Sequence, residues 1–379
     1  MSRLRTTLPA TVCLLLGTAV AVAQQRNLPP PDVGTSRFDT DIVADGLVHP
    51  WGLDFLPGGG AVVTERPGRI KLVIDGKVSE PLPGVPEVFA HAEGGLLVVA
   101  VSPDFETDGL IFFSYSQPGS GGSGTAVSRA RLVLDEASPR LEAVETIFSM
   151  SRKTGSSHHF GSRLVFGPDG ALFVTTGDRD EGDRAQDMQD HAGAVIRIAP
   201  DGSVPEDNPK PDGWLPELWS KGHRNVQGAM WDPVTNALIT VEHGVHGGDE
   251  VNLTEAGKNY GWPLIAYGID YSGESLGVGT EAEGLEQPLY YWDPAIAPSG
   301  AAVYQGAMFP EWEGDILIGA LRSHLTRIDR DESGALEGEE RLLERTHGRI
   351  RDVNVAPDGS VWLLTDETDG AIVRLSRKD

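Results

Sequence analysis

The chain has 379 residues, with 31 Lys and Arg against 56 Asp and Glu, 47 glycines, 26 prolines and one cysteine; its formal charge is −25. So acidic a polypeptide repels phosphates and anionic headgroups, which argues against nucleic-acid or membrane-surface binding. An anionic ligand is admitted only where arginines gather locally, and the Gly and Pro content disfavours long helices.

The first segment, MSRLRTTLPATVCLLLGTAVAVA, has arginines at 3 and 5, an apolar run from Thr11 to Val22 and the small-residue triplet Ala21-Val22-Ala23. This pattern reads as a signal peptide over residues 1–23 that is cut after Ala23, because the apolar run is too short to span a bilayer. Cys13 lies inside it, so the chain that follows has neither disulfides nor thiolate chemistry. Export without disulfides fits a periplasmic or secreted protein with a core large enough to do without staples, and no membrane insertion is expected. Residues 24–36 (QQRNLPPPDVGTS) are proline-rich and polar and read as a flexible arm. Residues 37–379 are expected to form one domain.

From there a unit recurs: a proline-and-glycine turn beside alternating apolar strands, as in FLPGGGAVVTERPGRIKLV, VSPDFETDGLIFFSYS, FGPDGALFVTTGDR, WDPVTNALITVEHG, APSGAAVY and APDGSVWLL. The turn prolines are taken as Pro57, Pro103, Pro168, Pro233, Pro298 and Pro357, most of them about 65 residues apart. Strands rich in Val, Ile, Leu, Phe and Thr with Asp-Gly turns form hairpins. Six such units predict an all-β chain, a six-bladed β-propeller of four-stranded antiparallel blades, with long loops collected at one end. A β-sandwich with added segments is the alternative.

Chemistry-bearing residues concentrate at strand-to-loop junctions. In HHFGSRLVFGPDGALFVTTGDR (158–179), a hairpin would bring His158, His159, Arg163, Asp178 and Arg179 to one rim. Strand alternation would let only one of the two histidines face the channel. Asp178 is the candidate carboxylate to orient a histidine base. In GHRNVQG, Arg224 and Asn225 can grip a carboxylate or phosphate, with a loop salt bridge as the plain alternative. EHGVHGGDEVNL (242–253) packs three glycines, two histidines and three acids into twelve positions. Its backbone carbonyls and carboxylates suit Ca²⁺. Zinc, on His243, His246 and the 158–159 pair, is the competitor, without a matching ligand framework. In RIRDV, Arg349 and Arg351 share a strand face and read as an anion clamp, with Arg322 as a further member. Tyr290, Tyr291 and Trp292 offer rings for stacking or for packing. No GxSxG elbow, P-loop or dinucleotide fingerprint occurs in a fitting context.

Taken together and in order, HPWGLDFLP, EGGLLVVAVSPDF, HFGSR, GDR, AQDMQDHAGAVIRI, DGSVPEDNP, GHRNVQG, EHGVHGGDEVN, GKNYGWP, YYWDPAIAPSG and RIRDV resemble one family. It is the soluble aldose sugar dehydrogenases that use pyrroloquinoline quinone (PQQ), relatives of soluble quinoprotein glucose dehydrogenase. The resemblance implies a six-bladed propeller that oxidises aldose sugars at C1 to lactones and passes electrons to an acceptor such as a cytochrome or a quinone. It implies His159 as the base and Asp178 as its partner. Glu93, Arg224, Asn225, Tyr271, Arg322, Arg349 and Arg351 would bind the cofactor. Ca²⁺ would bind at the carbonyls of Gly244 and Val245, with a further site at Glu250 and Tyr260. Glu93 stands where relatives often have glutamine, Arg322 where lysine is expected, and Ala295 where the glucose dehydrogenase branch has a hydroxyl. Two other classes remain open at this point, a calcium-dependent propeller lactonase or esterase and a non-catalytic binding propeller.

Overall fold

The computed structural model describes residues 32–33, 38–135 and 138–378. The expected signal peptide and all of the expected arm except Asp32–Val33 lie outside these residues. Regular structure in the described residues is almost wholly strand. Six sheets of four antiparallel strands stand around a channel, and Asp32–Val33 adds a parallel fifth strand to one of them, against Glu340 and Arg341. The expected six-bladed propeller is borne out. No helix among the described residues is long and apolar enough to cross a membrane.

The innermost strands are Pro50–Phe55, Leu96–Val101, Leu164–Phe166, Val226–Asp232, Pro298–Val303 and Ile350–Val355. In each sheet the chain then runs outward through antiparallel neighbours. The last sheet is the exception: its outermost strand is Phe38–Leu47, from the other end of the chain, paired with Gly370–Arg377. The sequence repeat is therefore out of phase with the blades by one strand.

Apolar side chains fill the seams between blades. One seam packs Trp51, Leu97, Phe112, Phe148, Phe160, Leu164 and Leu172, all buried. Burying a side chain of this size stabilises by about 1.5–3 kcal/mol. Buried ion pairs also cross the seams and the channel. Arg330 holds both oxygens of Asp232, at 2.9 and 3.0 Å. Arg163 reaches across the channel to Asp352 at 2.7 Å.

Two expectations about the repeat are corrected. Pro298 is not a turn residue; it opens an inner strand, and the corresponding turn carries Pro310 in the short 3-10 helix Pro310–Trp312. His158 and His159 do not lie on a strand, since the hairpin strand begins at Leu164. His159 has a left-handed backbone, φ 54°. Strand alternation therefore does not govern where the two rings point.

Candidate active site

The loops at one end of the channel build a cleft of about 810 Å³, bordered by His159, Asp178, Asp180, Arg224, Val245 and Trp262 among others. His159 Nδ1 lies 2.6 Å from Asp178 Oδ1 and 3.4 Å from Asp180 Oδ1. An ionised carboxylate accepts only, so Nδ1 carries the hydrogen, and in the neutral ring Nε2 keeps its lone pair. The unusual backbone at His159 is possible because Gly177 faces it: a Cβ there would stand 2.1 Å from the His159 carbonyl oxygen. Asp178 is 2 % exposed and also accepts the Asp180 amide at 2.9 Å and the Trp262 indole N–H at 2.8 Å. His158 is half exposed and pairs instead with Asp180 Oδ2 at 3.0 Å. Arg179, expected at the rim, is fully buried; it lies over the Phe160 ring and donates to the carbonyls of Ser156 and His158.

Beside the cleft, at the channel mouth, a narrower cavity is lined by Trp51, Arg66, Glu93, Asn225, Arg349 and Arg351, with His243 and Gln227. Arg351 is buried and bonds Asp366 Oδ2 at 2.6 Å and Gln227 Oε1 at 3.1 Å. Arg349 reaches the same Asp366 oxygen at 3.5 Å, but it precedes the strand Ile350–Val355, whose pairing is irregular between Ile350 and Asp352, so the expected shared strand face is corrected: the two arginines converge on Asp366 without it. Burial opposes ionisation of Asp366, but Arg351, by charge and hydrogen bond, outweighs it with help from His49 and Arg66; the carboxyl is held well below its usual range. Arg224 is fixed by its backbone, whose N–H donates to Glu242 Oε2 at 2.6 Å. Asn225 Oδ1 accepts from the Gly161 amide and from Gln227, both at 3.1 Å. Glu93 is exposed, and its carboxylate accepts the His159 amide at 2.7 Å.

The structure thus brings together His159, Asp178, Glu93, Arg224, Asn225, Arg349 and Arg351. Tyr271 sits at the outer edge of the cleft and is 75 % exposed. Arg322 is exposed and forms no ion pair among the described residues; its neighbour Leu321 lines the inner cavity. Arg66, Asp366, His243 and Trp262 belong to the site but were not singled out for it from sequence. Trp262 lies in the GKNYGWP segment, and Arg66 in a proline-glycine turn that looks like ordinary surface.

The residues fit a polyanionic cofactor. The Nε atoms of Arg224 and Arg351 are buried and have no partner among the described residues. Such donors cost stability unless a ligand meets them. They also fit a hard cation near the 242–250 loop. Glu250 is half-buried with no cationic partner among the described residues, and desolvation followed by repulsion from Glu242 pushes it up to about 8. It shares a small cavity with Gly244, Val245 and Tyr260. The Tyr260 hydroxyl is already committed, donating to the Leu253 carbonyl and accepting the Glu255 amide at 2.9 Å. Tyr260 could therefore serve a metal only through its backbone. No group of three or more His, Cys, Asp or Glu side chains among the described residues is arranged to hold a metal ion, so the zinc alternative finds no site there. His243 Nε2 is spent on the Pro298 carbonyl at 2.6 Å, and burial lowers the pKa of its ring.

Comparison with known proteins identifies the family. Residues 47–374 match the glucose/sorbosone dehydrogenase family model. The Escherichia coli protein named aldose sugar dehydrogenase YliI is 40 % identical over 351 residues, covering 91 % of this chain and 94 % of that protein. Quinoprotein glucose dehydrogenase B of Acinetobacter calcoaceticus is 27 % identical, covering 89 % of this chain and 87 % of that protein. The PQQ-bound aldose sugar dehydrogenase of Streptomyces coelicolor superposes with a TM-score of 0.73 at 31 % identity, covering 92 % of this chain and 100 % of that one. The chain belongs to the glucose/sorbosone dehydrogenase family, in the company of the aldose sugar dehydrogenases that its motifs resemble.

Proposed function

We propose that this protein oxidises aldose sugars at C1 to lactones, using PQQ and Ca²⁺. One observation carries the reading: a histidine paired with a buried carboxylate opens onto the same end of the channel as arginines whose buried Nε atoms lack partners among the described residues. In a chain of charge −25, such a gathering of guanidinium groups is suited to a small polyanion. The relatives named above, one of them PQQ-bound, support the same cofactor.

In this reading His159 Nε2 takes the proton of the sugar C1 hydroxyl, and Asp178 stabilises the imidazolium that results. A positioned base of this kind contributes roughly 10²–10⁴-fold. Arg224, Asn225, Arg349 and Arg351 would hold the carboxylates of the cofactor. The carbonyls of Gly244 and Val245 would hold Ca²⁺ at the active site, with Glu250 and the Tyr260 backbone as a further cation site. When bound, PQQ would supply the two-electron acceptor for the C1 hydride, with Ca²⁺ as the Lewis acid that polarises it. Electrons would pass on to an external acceptor, a cytochrome or a quinone. The N-terminal segment supports export to the periplasm or beyond.

The test is reconstitution of purified protein with PQQ and Ca²⁺, followed by dye reduction with glucose, galactose and other aldoses. Sugar-dependent reduction that needs both additions is expected. No reduction with any aldose would overturn the proposal, and lactone hydrolysis without quinone would point to a hydrolase.

A further inference from the structure

Trp262 stands between the base and the arginine nearest to it. Its indole N–H donates to Asp178 Oδ2 at 2.8 Å, on the side of the carboxylate away from His159. The Arg224 guanidinium lies over the same ring, its central carbon 5.3 Å from the ring centroid. The tryptophan is anchored at both ends of its backbone. Its N–H donates to the Gly222 carbonyl at 2.9 Å, and its own carbonyl accepts Gln186 Nε2 at 2.7 Å. Gly182 closes the seat: a Cβ there would lie 3.3 Å from the indole nitrogen.

Each contact restrains a group that has little else to fix it. Asp178 Oδ1 is shared by His159 and the Asp180 amide, whereas Oδ2 has the indole as its donor. The Arg224 side chain has one hydrogen bond, a long 3.4 Å contact from Nη1 to the His243 carbonyl, and its Nε has none among the described residues. The indole face is therefore the main restraint on the guanidinium plane. A cation over an indole is held electrostatically by the electron-rich ring face.

We propose that Trp262 is a positioning residue for both halves of the site, its N–H fixing Asp178 and through it the His159 ring, its face fixing Arg224 for the cofactor. The inference rests on the reading of His159 as base and Arg224 as cofactor ligand. Without the indole donor, Asp178 Oδ2 loses its partner inside the protein. The carboxylate then attracts the His159 proton more strongly, so the imidazolium is favoured and the ring titrates at higher pH. The other charged or titratable groups near that ring include Asp180 at 3.4 Å, His158 on the far side of Asp180, Glu93 at the His159 amide and Arg224 in the same cleft, which Arg152, Glu181, Asp183, Arg184, Asp187 and Asp270 also line. Trp262→Phe keeps the restraint on all of them, whereas Trp262→Leu also releases Arg224.

The experiment uses Trp262→Phe, which keeps a ring face but loses the N–H, and Trp262→Leu, which loses both. His159 is titrated by NMR of its imidazole in the PQQ-free protein, and PQQ affinity is measured by absorbance titration. Trp262→Phe should raise the His159 titration by about half to one pH unit and leave PQQ affinity within about two-fold. Trp262→Leu should shift the titration in the same direction and bind PQQ roughly 5- to 20-fold more weakly. A tryptophan that merely fills space would leave the His159 titration unchanged in Trp262→Phe, and that result overturns the first half. Equal PQQ affinity in the two variants overturns the second. Should Trp262→Leu fail to fold, Trp262→Met takes its place. The imidazole titration needs neither cofactor nor sugar. A wild type that oxidises no aldose would therefore defeat the proposed function while leaving Trp262 to be decided on its own.

Discussion

His158 and His159 are neighbours in sequence but differ in burial and in partner, and that difference sets what each can do. The His159 side chain is 12 % exposed and bound to a buried carboxylate, whereas that of His158 is 49 % exposed and pairs with an exposed one. His159→Ala should lower kcat by roughly 10²–10⁴-fold. PQQ affinity, by absorbance titration, should stay within a few-fold, because the arginines remain. His158→Ala should change kcat only a few-fold, since an exposed ion pair of this kind is worth little. Equal losses in the two variants would contradict the division of roles. These two residues also show how far the sequence reached. The motifs pointed to His159 and Asp178, and the structure brings the two together. The argument from strand alternation did not apply, because the backbone turns left-handed at His159 before any strand begins. Arg66, Asp366 and Trp262 were illegible for another reason. Each sits in a polar turn or loop, and only closure of the ring brings those turns to the channel mouth.

Elements from opposite ends of the sequence meet at Asp366, which follows strand Val361–Thr365. Its carboxylate takes Arg351 at 2.6 Å, Arg349 at 3.5 Å and His49 Nδ1 at 2.9 Å, and so ties the last blade to the start of the first. Asp366→Asn should cost on the order of 3 kcal/mol at pH 7, because it leaves a buried arginine without its counter-charge. The sign of the pH dependence follows from the depressed pKa of Asp366. The native state then binds fewer protons than the unfolded state, so this contribution is complete above the unfolded-state value near 4 and fades as pH falls below it. Urea midpoints should therefore separate wild type from variant fully at pH 7 and 5, and less at pH 3. A separation that grows on acidification would show that the carboxylate is not stabilised in the way described. The strand-and-turn rhythm made most blades readable. The blade that opens at Pro298 was misphased, since its true turn, with Pro310, carries a 3-10 helix and no Asp-Gly. Spacing alone could not separate a proline that ends a strand from one that begins the next.

For the whole molecule, the ring is closed by strand exchange between the chain's two ends. Phe38–Leu47 lies along Gly370–Arg377 in a register from Phe38 opposite Arg377 to Leu47 opposite Gly370. Leu47 and Ala44 are buried in a cluster with Leu53, Val63, Leu364 and Ile372, so this strand joins the cores of the first and last blades. No local repeat announces such a strand, because it is a quarter-blade separated in sequence from the rest of its sheet. Starting the chain at Val48 would remove that apolar burial and a full row of ladder hydrogen bonds, about 5 kcal/mol or more. The apparent Tm should then fall by roughly 5–10 °C. The strand Gly370–Arg377 would become an open edge, and edges of this kind recruit other chains, so aggregation should accompany the loss. The same blade carries Arg349, Arg351 and Asp366, which couples closure to the site: PQQ affinity should weaken in the truncated chain even below its melting temperature. Differential scanning fluorimetry and a PQQ titration on the same sample check both effects. Unchanged melting would mean that the other five blades hold the ring without the exchanged strand. Lowered melting with unchanged PQQ affinity would mean that the channel mouth is shaped by the inner strands alone.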